Sequence, residues 1–117
     1  MTKPFQSASE SLQVTKQLSL CFEFCDTNHI PSSRNEIKNV LKALKSFSNI
    51  QLLSNKRLHE LSRAGKSDYI KLLFERHEQK LFSIDSEGSK RIIFYYDPEN
   101  KKIVKILSLF FDDHSKR

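Results

Sequence analysis

Residues 90–111 constrain the fold most. KRIIFYY and KIVKILSLFF are two runs rich in β-branched and aromatic residues, joined by DPENKK. Such side chains favour extended backbone, and a Pro-containing polar link between two runs fits a hairpin loop. Their nearly continuous apolar character suits central, well-covered strands. SEGS, around Gly88, supplies a turn just before them, and a further strand is expected at 80–84. Together these segments read as an antiparallel meander.

Upstream, QLSLCFEFC at residues 17–25 alternates imperfectly and is expected to form a first strand. DTNHIPSS is a loop that delivers an N-cap: Ser32 or Ser33, followed by Glu36, has capping-box spacing. SRNEIKNVLKALKSF then sets Ile37, Val40, Leu41, Leu44 and Phe47 on one apolar stripe, backed by Lys38, Lys42 and Lys45, which predicts a helix. A second, shorter helix is expected around 55–63, with Leu53, Leu58 and Leu61 apolar and Gly65 as its C-cap. DYIKLLFERHEQ reads as helix or strand; the alternation of Tyr69, Lys71, Leu73 and Glu75 against Ile70, Leu72, Phe74 and Arg76 favours a strand at 69–76. The expected architecture is α+β: an N-terminal strand, then two helices packed on one face of a C-terminal antiparallel β-meander, with the other face open. A chain of 117 residues fits a single domain, 1–117, in which the polar, Ser-rich residues 1–13 are expected to be poorly ordered.

With 38% hydrophobic and 29% charged residues, the chain is globular in composition, not disordered. No apolar run is long enough to span a bilayer, and MTKPFQSASESLQ lacks the apolar core of a secretory signal. A soluble, cytoplasmic protein is expected. Cys21, Cys25 and His29 have C-x3-C-x3-H spacing, which on a helix would align them, but no fourth ligand stands at a usual distance. They read as buried thiols in a reducing compartment, with no metal. The net charge of +6 invites a polyanionic partner, although Lys38, Lys42, Lys45, Lys56, Arg57, Lys66, Lys101 and Lys102 are spread widely enough to be solvated faces. Two glycines leave no phosphate-cradling loop, so no nucleotide cofactor is expected. His59 and His77 read as surface residues.

The order of elements, with Lys90-Arg91-Ile92-Ile93-Phe94-Tyr95-Tyr96 as a strand opened by basic residues, resembles the RelE/ParE superfamily of bacterial toxins. The DPENKK turn and a last strand ending in Asp112-Asp113-His114-Ser115-Lys116-Arg117 extend the likeness, and the ending is similar to the HigB branch. The topology likeness covers roughly 17–117 and the side-chain pattern about 80–117. The resemblance implies the toxin of a toxin–antitoxin pair, acting as a ribosome-dependent endoribonuclease that cuts mRNA without metal or small-molecule cofactor, and a cognate antitoxin as partner. It implies Arg91 as the phosphate-stabilising cation, His114 as general acid or base, and Asp113 as its orienting carboxylate. Lys80, Lys90, Lys116 and Arg117 would hold RNA backbone, and Tyr96 or Tyr95 would stack a base. Taken alone, Arg91 is a strand-opening residue suited to a salt bridge, and one of the adjacent tyrosines belongs to the core.

The strand preceding Arg91 has little basic character beyond Lys80, where catalytic members of the family carry several cations. A second reading therefore stands beside the first: a non-enzymatic binding protein, such as a phage-encoded inhibitor or an immunity protein, that blocks its partner through the sheet face. A gyrase-directed toxin of the same fold is the third.

Overall fold

The computed structural model describes residues 18–48, 57–63 and 67–112. Within them, β1 (Ser19–Cys21), β2 (His59–Glu60), β3 (Phe82–Glu87), β4 (Lys90–Tyr96) and β5 (Ile103–Asp112) form one sheet. Their spatial order is β1-β5-β4-β3-β2. The last three strands form the expected antiparallel meander, with Phe82 opposite Phe94 and Phe94 opposite Ile106. Gly88 turns β3 into β4 at φ +54, in the left-handed region where a residue without Cβ is unstrained. β1 runs parallel to β5, Leu20 opposite Val104, which makes the sheet mixed.

The first strand is shorter than 17–25. After Cys21 the chain turns, with the Cys25 N–H donating to the Phe22 carbonyl at 3.1 Å. The Asp26 N–H then donates to the Leu107 carbonyl at 2.8 Å, which anchors the loop that follows on β5. Gln17 lies outside the described residues.

Helix α1 (Arg34–Lys45) forms where expected, continued by a 3₁₀ turn at Ser46–Ser48. Ser33 is the cap: its hydroxyl accepts the Glu36 N–H at 3.1 Å, and Glu36 accepts the Ser33 N–H at 3.2 Å. The apolar stripe is only partly used, however. Val40, Ala43 and Phe47 are buried, whereas Ile37 and Leu41 remain 44% and 53% exposed. The helix sets the i, i+3, i+7 line from Val40 on the sheet, so Ile37 and Leu41 are left on its flank.

Residues 57–63 are not helical. Arg57 adopts φ 56, and β2 follows, antiparallel to β3 with His59 opposite Ser83. Leu53, Leu58 and Leu61 recur at i, i+5, i+8, a spacing that does not keep them on one helical face. Leu53, Gly65 and residues 55–56 lie outside the described residues. The helix instead occupies the segment expected as a strand at 69–76: α2 (Asp68–His77). The Ser67 side chain caps it by accepting the Ile70 N–H, and Glu78, at φ 55, ends it in the left-handed conformation. Ile70, Leu73 and Phe74 are its buried residues. Their i, i+3, i+4 spacing prevailed over an alternation drawn through the same side chains.

The two helices lie on opposite faces, not on one. Ala43 and Phe47 of α1 pack with Ile84, Ile92, Phe94, Val104 and Ile106. Ile70, Leu73 and Phe74 of α2 pack with Leu81, Ile93, Tyr95, Leu107 and Phe111 on the other side. Successive residues of β4 alternate between these two groups, as pleating requires. Four consecutive side chains, Ile92 to Tyr95, are thereby buried, and a strand apolar on both sides needs cover on both. Among the described residues no helix is long and apolar enough to cross a membrane.

Candidate functional site

Lys90 and Arg91 open β4 beside the end of β5, with Lys90 opposite Asp112 and Arg91 opposite Phe111. Arg91 is held by Asp85 on β3 through its guanidinium, and its side chain is only 15% exposed. Arg57 reaches the other Asp85 oxygen at 3.4 Å. Asp112 accepts from Lys90 Nζ at 2.9 Å and from the Ser89 hydroxyl at 2.8 Å. A carboxylate thus already neutralises Lys90 and Arg91, two of the cations that the resemblance would aim at RNA phosphate.

Tyr96 stands at the opposite end of β4 from Arg91, roughly 16 Å away at strand rise. It is half-buried on the α1 side, with its ring 5.3 Å from Phe82 and 5.6 Å from Phe94. Burial pushes its hydroxyl pKa up. Lys80 is exposed and precedes β3 at that same far end, since Phe82 pairs with Phe94. The structure therefore brings Lys90 and Arg91 together and separates them from Lys80 and Tyr96. Asp113, His114, Lys116 and Arg117 lie outside the described residues.

Cys21 and Cys25 are free thiols, and His29 turns its Nδ1 to Asp26 at 2.6 Å. Burial, and then the Asp26 carboxylate, push the Cys25 thiol above its ordinary pKa, which makes it a poor nucleophile.

A wider unfilled surface lies along the flank of α1 that the sheet leaves uncovered. Leu20 of the edge strand β1, with Ile37, Leu41 and Leu44 of α1, floors a groove of about 740 Å³. Arg34, Lys38, Lys42 and Lys45 line it as well. Helical spacing explains the pairing of chemistries. Ile37, Leu41 and Leu44 recur at i, i+4, i+7, and Arg34, Lys38, Lys42 and Lys45 at i, i+4, i+8, i+11, so an apolar row and a cationic row run side by side. The nearest acid on the helix, Glu36, is spent on the cap, and hydrogen bonds from the Ser32 and Ser33 N–H groups hold its carboxyl below the usual range. Among the described residues no carboxylate pairs with the four cations. The sequence shows this stripe, but a sequence cannot say which part of an apolar stripe the sheet will fail to cover.

Comparison of the chain with protein-family models, with curated proteins and with solved structures finds no match.

Proposed function

We propose that this chain is a non-enzymatic binding protein that holds an acidic, amphipathic segment of a partner protein in the α1 groove. The observation that carries this reading is the cationic row set beside two exposed apolar side chains, Ile37 and Leu41. Like charges at i, i+4 repel one another on a helix, and an acidic row laid alongside converts that repulsion into attraction. Burying the exposed parts of Ile37 and Leu41 would add on the order of 1 kcal/mol each. The occupant that matches is a helix with leucine-type side chains on one stripe and carboxylates on the next. A second copy of this chain would meet the row with another row of cations. The face of the sheet, the surface expected for an inhibitor, is covered by a helix on either side, so the binding surface moves to the flank of α1.

Fluorescence anisotropy with a designed acidic amphipathic helical peptide tests this reading. Saturable binding is expected, lost on Leu41→Asp, weakened at least tenfold in Lys38→Glu/Lys42→Glu, and recovered when the double variant meets the same peptide with lysines in place of its glutamates. Absent binding, or binding indifferent to these variants, overturns it.

One observation favours the endoribonuclease toxin as a second reading. Residues 90–111 contain two adjacent antiparallel strands, and Asp112, opposite Lys90, stands at the Arg91 end of β4. In this reading the α1 groove would take an antitoxin segment and the active residues would be Arg91, Asp113 and His114. Induced expression in a bacterial host separates the two: growth arrest with mRNA cleavage, abolished by Arg91→Ala, belongs to the toxin alone.

A further inference from the structure

We infer that the cleft between the 24–29 turn and α2 is a second binding site, for a planar aromatic ring that carries an anionic group, the chemistry of a mononucleotide. The site shares no residue with the α1 groove and stands or falls independently of it. Its volume is about 470 Å³, within the range that takes a small ligand. Phe24, Asp26, His29, Tyr69, Leu72 and Arg76 are among the residues that line it.

The cleft is assembled around one fixed carboxylate. Asp26 accepts from the Asn28 N–H at 2.7 Å and from the Tyr69 hydroxyl at 2.8 Å, and its Oδ2 lies 2.6 Å from His29 Nδ1. With three donors, that charge is largely spent within the protein and does not repel an incoming anion at full strength. A carboxylate on Nδ1 selects the tautomer protonated there, which leaves His29 Nε2 for a further partner. The imidazole is also wedged: its centroid lies 4.5 Å from the Tyr69 ring and 5.8 Å from the Phe111 ring. Its position is thus set before any ligand arrives.

The walls supply the two halves of the ligand chemistry. Arg76 is exposed on α2, and among the described residues no carboxylate pairs with it, so its guanidinium has its fork of donors available for a phosphate or carboxylate. Phe24 is 48% exposed and Leu72 43%, an apolar pair on the cleft wall. The Phe24 ring rests 5.4 Å from the His77 ring, and Lys105 Nζ sits 5.6 Å from its centroid. An exposed aromatic ring beside a lysine ammonium is the arrangement on which nucleobases stack. A free nucleotide and a nucleotide within a single strand share this chemistry.

Isothermal titration calorimetry on the full chain decides between them. The probes are AMP, adenosine, inorganic phosphate and a single-stranded oligoadenylate. AMP or the oligonucleotide is expected to bind at least tenfold more tightly than adenosine or phosphate. Arg76→Gln should erase the advantage over adenosine, and Phe24→Ala the advantage over phosphate. Both substitutions are at exposed positions, and circular dichroism checks that each variant folds. Binding of AMP assigns the site to free nucleotides; binding of the oligonucleotide alone assigns it to a strand. If neither binds, or if Arg76→Gln leaves binding unchanged, the inference is overturned.

Discussion

The Tyr69 hydroxyl donates to Asp26 Oδ2 at 2.8 Å, a bond that joins the first turn of α2 to the loop leaving β1. Both groups are partly buried, and their residues are 43 positions apart in the chain, so the bond closes tertiary structure that local propensity does not. Tyr69→Phe keeps the ring stacked on Phe111, at 5.1 Å, and removes only the donor. Hydrogen bonds to charged groups contribute roughly 1.5–3 kcal/mol, and partial exposure places this one near the lower end. Urea denaturation of Tyr69→Phe should show a loss of about 1–2 kcal/mol with an unchanged m-value.

The same carboxylate makes stability depend on pH. Burial alone would raise the Asp26 pKa, but hydrogen bonds from the Asn28 N–H, His29 and Tyr69 outweigh it and hold the carboxyl below its ordinary value. Because the folded pKa is the lower one, the contribution is fully present above the unfolded value of about 3.9 and fades as pH falls through the folded value. Asp26→Asn should therefore flatten the acid limb of a stability-against-pH curve measured by urea unfolding. A variant whose acid limb matches the wild type would show that other carboxylates set it.

How much of this was legible in the sequence depends on which residues are asked. The Ser33–Glu36 capping box and the 90–111 hairpin are local signals, each complete within a few residues of chain, and both form. Ser67-Asp68 is an equally local N-cap signal before Ile70, Leu73 and Phe74, and it would have turned the helix-or-strand ambiguity of 69–76 towards helix. The placement of the two helices on opposite faces is different in kind. The buried run from Ile92 to Tyr95 states that cover is needed on both sides, but not which helix supplies it. Arg91 was legible as a salt-bridging residue, whereas its partner Asp85 is set by the β3–β4 register. The Asp26–His29 pair is an i, i+3 contact within a loop, where no helical or strand period marks it, and the C-x3-C-x3-H spacing is the more visible pattern around His29.

The capping box can be measured by itself. Ser33 is exposed, so its replacement disturbs no core packing, and its hydroxyl satisfies the Glu36 N–H at 3.1 Å. Ser33→Ala should cost about 1 kcal/mol, while Ser33→Asp, which retains an acceptor at the cap, should stay close to the wild type. Thermal unfolding of the three proteins gives the ranking directly. Equal loss in both variants would mean that the hydroxyl itself, and not capping, is what the fold requires.

The Arg91–Asp85 pair separates a structural role from a catalytic one. The two side chains are 15% and 20% exposed, so each is largely removed from water, and deleting either removes the other's close charge partner in that setting. Arg57, with a side chain 69% exposed, contributes little through its 3.4 Å contact with the same carboxylate. A double-mutant cycle with Arg91→Ala and Asp85→Ala should give single losses of about 2–3 kcal/mol and a double loss clearly below their sum, with a coupling energy of about 1–2 kcal/mol. If Arg91 instead serves RNA phosphate, Asp85→Asn should weaken the hold on its guanidinium and increase mRNA cleavage on induced expression, even as stability falls. Strong coupling with no cleavage in either background makes the pair a strut between β3 and β4. Cleavage that rises in Asp85→Asn and vanishes in Arg91→Ala makes Asp85 a restraint on a working arginine.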